Sequence, residues 1–339
     1  EMSRFMTQLL VESPLVVTHH SMDFNLQSRQ VYPQPIAKPV AWAEGMRRFS
    51  PSAINEYMRC QLLFFYNRVA KIKAPQKQTV IIEPNVLGSV FHKTAELFYL
   101  DFVEHGNPVI TPARLAPFLE PAADASLVFY VRRAMAEEQV GENVLVEQIV
   151  KSFFKQLLRN DSKLETFKIK GLETPRALTF NVLVNGAVRQ VELCGIIDRM
   201  DIVSDPTIND GAETLRIVDY KTNGSMEQAL SMDALFTPGE KHPHYVLQTF
   251  LYALMVAPDV NNMPLMPTLF FVNKYGDKNF LPYIKYANEP LTDFAPLAQD
   301  FKFRLEKLMS EMLDEATPFK PTSVLQRCEN CNYRLLCYG

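Results

Sequence analysis

The spacing of apolar residues changes near the middle of the chain. In the first half they recur three to four positions apart, which is the period of a helix with one buried face. The first helix is predicted to begin at Ser50-Pro51, because serine caps a helix N-terminus and proline fits the first helical position. A second helix is predicted at about 87–103, and residues 108 to about 172 are predicted to be helical as well.

From about residue 177 onward the apolar residues alternate with polar ones, which is the period of a β-strand. Asn185-Gly186 separates two such runs and predicts a tight hairpin, since both residues accept the positive φ that its turn requires. Strands are predicted at 177–184, 188–194 continuing through 195–203, 215–222, 267–273 and 280–286, and further helices at about 244–256 and 294–313. This order predicts an α/β fold with a mixed central sheet flanked by helices.

The chain divides into an irregular beginning and one enlarged domain. Residues 1–47 show little periodicity and several prolines, so we expect an extended arm or the tail of a preceding domain. The domain is expected at 48–339, with a helical insertion at about 105–172 and a cysteine-containing clasp at 326–339. Because the chain starts at Glu1 and not at Met, we expect it to be part of a longer protein.

Composition excludes some classes of protein. An apolar fraction of 47% in 339 residues is enough for a sizeable core. No apolar run is long enough to span a membrane and no signal segment opens the chain, so we expect a cytoplasmic protein without a membrane partner. Five cysteines, an odd number, argue against a disulfide framework.

The net charge of −3 does not by itself indicate a nucleic-acid binder, but basic residues cluster locally. Residues 59–77 contain no acid and five bases, namely Arg59, Arg68, Lys71, Lys73 and Lys77. A second series, Lys151, Lys155, Arg159 and Lys163, is spaced four apart on a predicted helix. Each series is either a solvated surface or a surface that follows a phosphate backbone.

Two acids and a lysine follow apolar runs in neighbouring predicted strands. Asp198 ends the run Gly195-Ile-Ile, and Asp219 and Lys221 flank Tyr220. Residues two apart share a strand face, so Asp219 and Lys221 lie on one side, and Asp198 lies beside Asp219 if the strands pair. Two close carboxylates repel each other unless a cation lies between them, and oxygen ligands suit Mg²⁺ or Mn²⁺.

An ordinary interpretation of the same residues is that an exposed strand carries charges. Charges that follow a buried apolar run are costly, however, unless they are paired or bind metal. A lysine beside metal-binding acids can contact a phosphate oxygen or the attacking water. The sequence therefore predicts a metal-dependent centre at Asp198, Asp219 and Lys221.

These motifs, taken in order, resemble those of RecB-type PD-(D/E)XK nucleases, which include the helicase–nuclease subunits RecB, AddA and AddB and CRISPR-associated exonucleases. The resemblance covers about 48–339 and implies a restriction-endonuclease-like core with a helical insertion. The matching segments are Gly88-Ser-Val-Phe-His92, Gly195-Ile-Ile-Asp198-Arg, Asp219-Tyr220-Lys221 and Gln248-Thr-Phe-Leu-Tyr252. Ile197 stands where the superfamily's name has proline.

The resemblance also implies roles for these residues. His92, Asp198, Asp219 and the Tyr220 carbonyl would bind Mg²⁺ or Mn²⁺, and Gln248 and Tyr252 would shape the active site with Lys221 and contact DNA. Glu173 stands where some members carry an additional acid. Without the resemblance, His92 would be read as a structural or surface histidine, and Gln248 and Tyr252 as a partly buried polar pair.

The cysteines at the end of the chain have the spacing of a metal or cluster site. Cys328, Cys331 and Cys337 lie within ten residues, which leaves a four-coordinate site one ligand short. Cys60 is the candidate for the fourth ligand, and its helix resembles the one that carries the first cysteine of AddB-type and CRISPR-associated nucleases. The resemblance implies a structural [4Fe–4S] cluster, with zinc as the alternative occupant. Cys194 is read as a buried apolar residue.

The function implied by the resemblance is that of a metal-dependent deoxyribonuclease, and more narrowly an exonuclease. The resemblance is greatest to the nuclease domain of an AddB-like helicase–nuclease acting on single-stranded DNA or duplex ends in double-strand break repair and recombination. The chain has no Gly-x4-Gly-Lys-Ser/Thr motif, so unwinding would need a helicase subunit or an upstream helicase-like region. The alternatives are a non-catalytic DNA-end-binding or scaffolding module and a stand-alone exonuclease of the CRISPR-associated type.

Overall fold

The computed structural model describes residues 4–14, 32–73, 84–104, 107–141, 143–274 and 283–338. The helices are α1 (Arg4–Glu12), α2 (Val40–Gly45), α3 (Pro51–Arg59), α4 (Gln61–Phe64), α5 (Pro84–Glu104), α6 (Pro112–Leu119), α7 (Asp124–Glu137), α8 (Val144–Asp161), α9 (Met232–Phe236), α10 (His244–Val256), α11 (Ala298–Leu313), α12 (Gln326–Glu329) and α13 (Arg334–Tyr338). The strands are β1 (Arg48–Phe49), β2 (Val109–Ile110), β3 (Thr166–Val184), β4 (Ala187–Ser204), β5 (Thr214–Lys221), β6 (Gln228–Ala229), β7 (Leu265–Phe271), β8 (Lys285–Tyr286) and β9 (Glu289–Pro290).

The sheet is built on one long hairpin. β3 and β4 pair antiparallel from Thr166↔Ser204 to Val184↔Ala187. The residues of the turn, Asn185 and Gly186, have φ values of 50° and 80°, as a two-residue hairpin requires. The predicted hairpin is therefore confirmed.

The predicted helix over residues 108–172 is wrong at its end. The last helix of this region, α8, ends at Asp161, and β3 begins at Thr166. The reason is a change of period: Phe167 and Ile169 are buried, whereas Lys168 between them is exposed. That alternation belongs to a strand.

The central sheet is mixed, as predicted. Its strand order is β2-β3-β4-β5-β7, and β1 pairs in parallel with β4. β5 runs antiparallel to β4 and parallel to β7, so it lies between two strands of opposite direction. A small second sheet joins β6, β8 and β9. Of the strand predicted at 280–286, residues 285–286 form β8, and residues 280–282 lie outside the described residues.

Helices cover the sheet on both faces. One buried apolar cluster includes Phe91 of α5 and Phe154 of α8 with Val218 of β5. The other includes Ile54 of α3, Phe250 of α10 and residues of α11. The helix predicted at 244–256 is found at those bounds, and Ser50 caps α3 by accepting a hydrogen bond from the Ala53 N–H at 3.2 Å. No helix in the described ranges has the length and apolar character needed to cross a membrane.

A glycine lets α10 approach β4 closely. A Cβ at Gly195 would lie 3.0 Å from Tyr252 Cε1, 3.3 Å from Met255 Cε and 3.4 Å from Pro51 Cδ. The first two atoms belong to α10, and the third belongs to the first turn of α3. The missing side chain therefore fixes the distance of both helices from the strand.

We expect Gly195→Val to lower the free energy of unfolding by about 1–3 kcal/mol, because the added side chain overpacks this contact. Urea unfolding measures the change. Gly45→Ala is the matched control, since a Cβ there meets nothing within 4 Å, and it should change stability by less than about 0.5 kcal/mol. Equal stability of the two variants would show that α10 is free to move away from the sheet.

Candidate active site

The predicted acids meet where the ladder between β4 and β5 ends. The last pair of that ladder is Arg199↔Val218, and the next residues along the two strands are Asp198 and Asp219. In place of a further backbone pair, Asp198 Oδ2 accepts a hydrogen bond from the Tyr220 N–H at 2.7 Å. Asp198 and Asp219 are both buried. The strands thus hold two carboxylates side by side at the edge of the core.

His92 and Glu173 complete a group of three possible metal ligands with Asp198. His92 Nδ1 lies 3.4 Å from Asp198 Oδ1 and 3.8 Å from Glu173 Oε1. Among the described residues, one ligand atom from each of the three lies within 4.8 Å of the others. Two carboxylates and an imidazole form a donor set that accepts Mg²⁺ or Mn²⁺, so the residues present fit such an ion.

Glu173 is the residue whose importance the sequence indicated only weakly. Its φ is 42°, in the left-handed region that residues other than glycine seldom adopt. It lies within β3, between Leu172, which is opposite Arg199, and Thr174, which is opposite Ile197. A strained backbone conformation costs conformational energy, and such strain is found most often at functional sites. The strain at Glu173 is therefore consistent with a role as a metal ligand.

The charges of this group depend on one another. Burial opposes the charged form of His92, but Asp198 and Glu173 outweigh it and raise the pKa of His92 to about 10. Burial likewise opposes the charge of Asp198, yet His92 and Lys221 hold the pKa of Asp198 below its usual value. The imidazole therefore provides a positive charge between the carboxylates in the ligand-free protein, where a cation would otherwise be needed.

Asp219 is not part of that group of three but contacts the predicted lysine. Asp219 Oδ2 lies 2.6 Å from Lys221 Nζ, which confirms that the two side chains share a face of β5. Burial raises the pKa of Asp219 to about 6, although Lys221 opposes the shift. Burial alone would lower the pKa of Lys221, but Asp219 and Asp198 raise it, so the lysine is cationic.

Gln248 and Tyr252 connect α10 to this pair. Gln248 Nε2 donates to Asp219 Oδ1 at 3.2 Å and to the Tyr252 hydroxyl oxygen at 3.1 Å. Burial and then Asp219 and Asp198 raise the pKa of Tyr252, which keeps its hydroxyl protonated. The structure thus brings together His92, Asp198, Asp219, Lys221, Gln248 and Tyr252, and it adds Glu173.

A buried network of charges lies next to these residues, and sequence reasoning did not identify it. Arg199 donates to both oxygens of Asp161 at 2.7 and 3.0 Å, and its Nε lies 2.9 Å from Asp201. Arg216 donates to both oxygens of Asp201, each at 2.8 Å. The Tyr99 hydroxyl also donates to Asp161. All four charged side chains are at most 2% exposed.

The network joins the elements that carry the candidate site. Tyr99 lies on α5 with His92, Arg199 follows Asp198 on β4, and Arg216 lies on β5 with Asp219. The signal in the sequence was the spacing of two between Arg199 and Asp201 within an otherwise apolar strand. Its partner Asp161 ends a distant helix, so the pairing could not be inferred from spacing.

Some members of the two basic series form ion pairs and are not free to follow a phosphate backbone. Lys151 and Lys155 both contact Asp124, so they are committed to an ion pair between α8 and α7. Arg68 pairs with Glu56 at 2.9 Å. Lys77 lies outside the described residues. Lys151, Lys155 and Arg159 lie on α8 as their spacing predicted, whereas Lys163 lies beyond its end at Asp161. The spacing could not reveal a partner on another helix.

The predicted cysteines of the clasp come together. Cys60, between α3 and α4, lines a cavity of about 150 Å³ with Cys328 and Cys331. Burial raises the pKa of the Cys337 thiol, and the nearness of the other three sulfurs raises it further. No three of these sulfurs are within 4.8 Å of one another in the described chain. Cys194 lies apart from them in β4 and is half-buried, not buried as predicted.

Comparison with known proteins identifies the family. The model of the PD-(D/E)XK nuclease superfamily matches residues 48–338, and the chain therefore belongs to this superfamily of metal-dependent nucleases. No curated protein matches the chain in sequence. Among solved structures, the crystal structure of SSO0001 is similar at 13% identity, over 84% of this chain and 94% of that chain, with a TM-score of 0.26. A score this low adds nothing to the assignment.

We expect Asp161→Asn to lower the free energy of unfolding by about 3–5 kcal/mol, because it leaves two buried guanidinium groups with one carboxylate. Urea unfolding measures the loss. Asp124→Asn is the matched control: its carboxylate also contacts two cations, but it lies at the surface, so stability should stay nearly unchanged. If Asp161→Asn lowers the free energy of unfolding no more than Asp124→Asn does, the fold does not depend on the buried network.

Proposed function

We propose that this chain is a deoxyribonuclease whose cutting centre consists of His92, Glu173, Asp198, Asp219 and Lys221. The observation that carries the proposal is the grouping of three ligand atoms within 4.8 Å beside the Lys221–Asp219 pair, at the end of two buried strands. Membership of the PD-(D/E)XK nuclease superfamily supports the reaction, which is hydrolysis of a phosphodiester.

The carboxylates and His92 would hold Mg²⁺ or Mn²⁺, with Asp219 and the Tyr220 carbonyl as further ligands. When bound, the ion supplies a coordinated water of lowered pKa and polarises the scissile phosphate. The Tyr220 N–H keeps Asp198 Oδ2 in place for this task, and Gln248 does the same for Asp219 Oδ1. These two donors thus orient the carboxylates before the centre fills.

Lys221 would act on the substrate. Its ammonium group is held by Asp219 and stays charged, so it can contact a phosphate oxygen and offset the negative charge that builds up during attack. It would also orient the attacking water. Tyr252, behind Gln248, keeps the amide group turned toward Asp219.

Lys221→Ala should reduce cleavage of DNA by at least about 10²–10³-fold, because one charge that stabilises the transition state is removed. The measurement is digestion of linear and circular single-stranded DNA with Mg²⁺ or Mn²⁺, alongside Lys302→Ala, whose lysine pairs with Glu306 at the surface. EDTA should stop cleavage of DNA by the parent protein. Sparing of the circle would identify an exonuclease.

Full activity of Lys221→Ala would overturn the assigned role of the lysine. A folded parent protein that binds DNA but cleaves neither substrate would favour the alternative of a non-catalytic DNA-end-binding or scaffolding module. Circular dichroism of each variant distinguishes loss of chemistry from loss of fold.

We further propose that the chain is the nuclease part of an AddB-like helicase–nuclease that processes DNA ends for recombination. The support is the resemblance of its ordered motifs to that branch and the placement of one cysteine before the core and three after it. A helicase subunit or a helicase-like region of a longer chain would supply the single strand. The alternative is a stand-alone exonuclease of the CRISPR-associated type, which would cleave without any helicase.

For Cys60, Cys328, Cys331 and Cys337 we propose a [4Fe–4S] cluster, with zinc as the competing occupant. Cys60, Cys328 and Cys331 line one cavity, and the Cys60 helix resembles the one that carries the first cysteine of AddB-type and CRISPR-associated nucleases. These two observations support the cluster. Its role would be structural, because it would join α3 to the end of the chain.

Protein purified without oxygen should contain iron and acid-labile sulfide in equal amounts and should lose both in Cys331→Ser. Cys194→Ser is the matched control and should keep them, since Cys194 lies in β4. The clasp variant should also unfold at lower temperature than the control, because a bound metal group contributes folding free energy. Zinc without sulfide in the parent protein would replace the cluster with the zinc alternative.

A further inference from the structure

A second site lies beside the candidate active site. A cavity of about 810 Å³ opens between α3, the segment before α10 and Arg327. Gln248 lines one end of this cavity and also donates to Asp219. Gln248 and Ser52 line a neighbouring cavity of about 580 Å³ as well, which continues past Tyr252 and Arg176. Gln248 thus connects both cavities to Asp219, although none of the five proposed cutting-centre residues lines either of them.

The acids of this cavity are mostly neutralised by partners. Glu56 accepts two hydrogen bonds from Arg68, both at 2.9 Å. Glu227 lies 2.8 Å from His244 Nδ1 and accepts a hydrogen bond from the Tyr245 N–H, also at 2.8 Å. Within the described part of the chain, Glu240 is the one acid lining the cavity that has no such partner.

The bases, in contrast, have no carboxylate partner. Arg327 donates to the backbone carbonyls of Arg59, Gly239 and Glu240, which fix its position without neutralising its charge. Among the described residues, no acid pairs with Arg59 or with Lys241, and both are exposed. Arg59, Lys241 and Arg327 thus bring three cations to the cavity, against the one unpaired carboxylate of Glu240.

The Arg327 guanidinium is held close to the backbone of Arg59. Arg327 Nη1 lies 3.2 Å from the Arg59 carbonyl oxygen, although the two residues are 268 positions apart. Like charges near each other are unfavourable unless an anion lies between them. Guanidinium groups bind phosphate oxygens in pairs, and the N-terminus of α10 at the cavity adds partial positive charge.

His242 is a buried polar residue of the cavity, and its ring lies against the backbone of Ala234. Burial lowers the pKa of His242 to about 4, so the ring is neutral and adds no charge to the wall. The charge of the wall therefore comes from Arg59, Lys241 and Arg327, which outnumber the unpaired Glu240.

We propose that this cavity binds the sugar-phosphate backbone of a single DNA strand next to the scissile bond, with Arg59 and Arg327 as phosphate ligands. The proposal rests on the proposed nuclease function and adds to it a subsite outside the cutting centre. The subsite contributes affinity for the strand and no chemistry. A short substrate is poorer than a long one because it does not fill the cavity.

The test compares Arg59→Gln, Arg327→Gln and the double variant with Arg133→Gln, a surface arginine that pairs with Glu137. Hydrolysis of bis(p-nitrophenyl) phosphate reports the cutting centre alone, because this small diester cannot reach the cavity. Cleavage of fluorescent single-stranded oligodeoxynucleotides of increasing length gives kcat and KM. Fluorescence anisotropy in EDTA gives affinity for the same oligonucleotides without any cleavage.

Each arginine variant should raise KM and Kd for the longer oligonucleotides about three- to tenfold and leave kcat and diester hydrolysis unchanged. The slope of log affinity against log salt should fall by about 0.7 for each phosphate that the variant no longer neutralises. Arg59→Lys should keep that slope, because the charge remains. Arg133→Gln should match the parent in all these measurements.

Two results would overturn the subsite. One is unchanged affinity and salt dependence for both arginine variants. The other is an equal loss on the small diester and on the oligonucleotides, which would mean that the substitutions disturb the fold. Failure of the proposed function gives a different result: the parent protein then hydrolyses neither substrate, while the anisotropy measurement still tests the subsite.

Discussion

The structure depends most on the buried ion network of Asp161, Arg199, Asp201 and Arg216. Two carboxylates and two guanidinium groups lie away from water and balance each other in number. Removing ions from water costs several kcal/mol each, and only close pairing with good geometry offsets that cost. The rings of Tyr99 and Phe167, 4.9 and 5.2 Å from the Arg199 guanidinium carbon, close the cluster on its apolar side. Apolar residues of similar volume could fill this space without the cost of burying charges. We therefore infer that the network serves to select one arrangement of the strands rather than to add stability.

That specificity concerns the register of β5. Along this strand Tyr220 packs against Phe91 and His92 on the α5 side, whereas its neighbours Asp219 and Lys221 face Gln248 and Tyr245 of α10. A slip by one residue would exchange these faces and bury the lysine among aromatic rings. Arg216 on the same strand is tied to Asp201 of β4 by two hydrogen bonds, which no slipped register could form. The network and the candidate site are thus two consequences of one strand pairing.

The parts of this arrangement that the sequence predicted are those encoded locally. Asn185-Gly186 determines a turn through its own backbone preferences, and the period of two in β4 and β5 places Asp219 with Lys221. The segments around His92 and Gln248 were identified because they resemble a family, not because their spacing required it. Arg199 and Asp161 are 38 residues apart and belong to a strand and a helix, so no period relates them. Lys151 and Lys155 were ambiguous for the same reason, since Asp124, which decides between the alternatives, lies on another helix.

The last described residues pack against the segment that follows α4, and this packing arranges part of the protein surface. Tyr333 donates to the Ile72 carbonyl oxygen at 2.7 Å, and its ring lies 5.5 Å from that of Tyr66. Closing so long a loop costs little more than closing a short one, because loop entropy grows only with the logarithm of length. The same packing brings Arg327 to the carbonyl of Arg59 and so completes the wall of the larger cavity. Since Arg59 and Arg327 each precede a cysteine of the clasp, whatever holds those cysteines together also brings the backbones of the two arginines close to each other. The clasp and the proposed phosphate subsite therefore depend on each other, because both form where the end of the chain packs against α3.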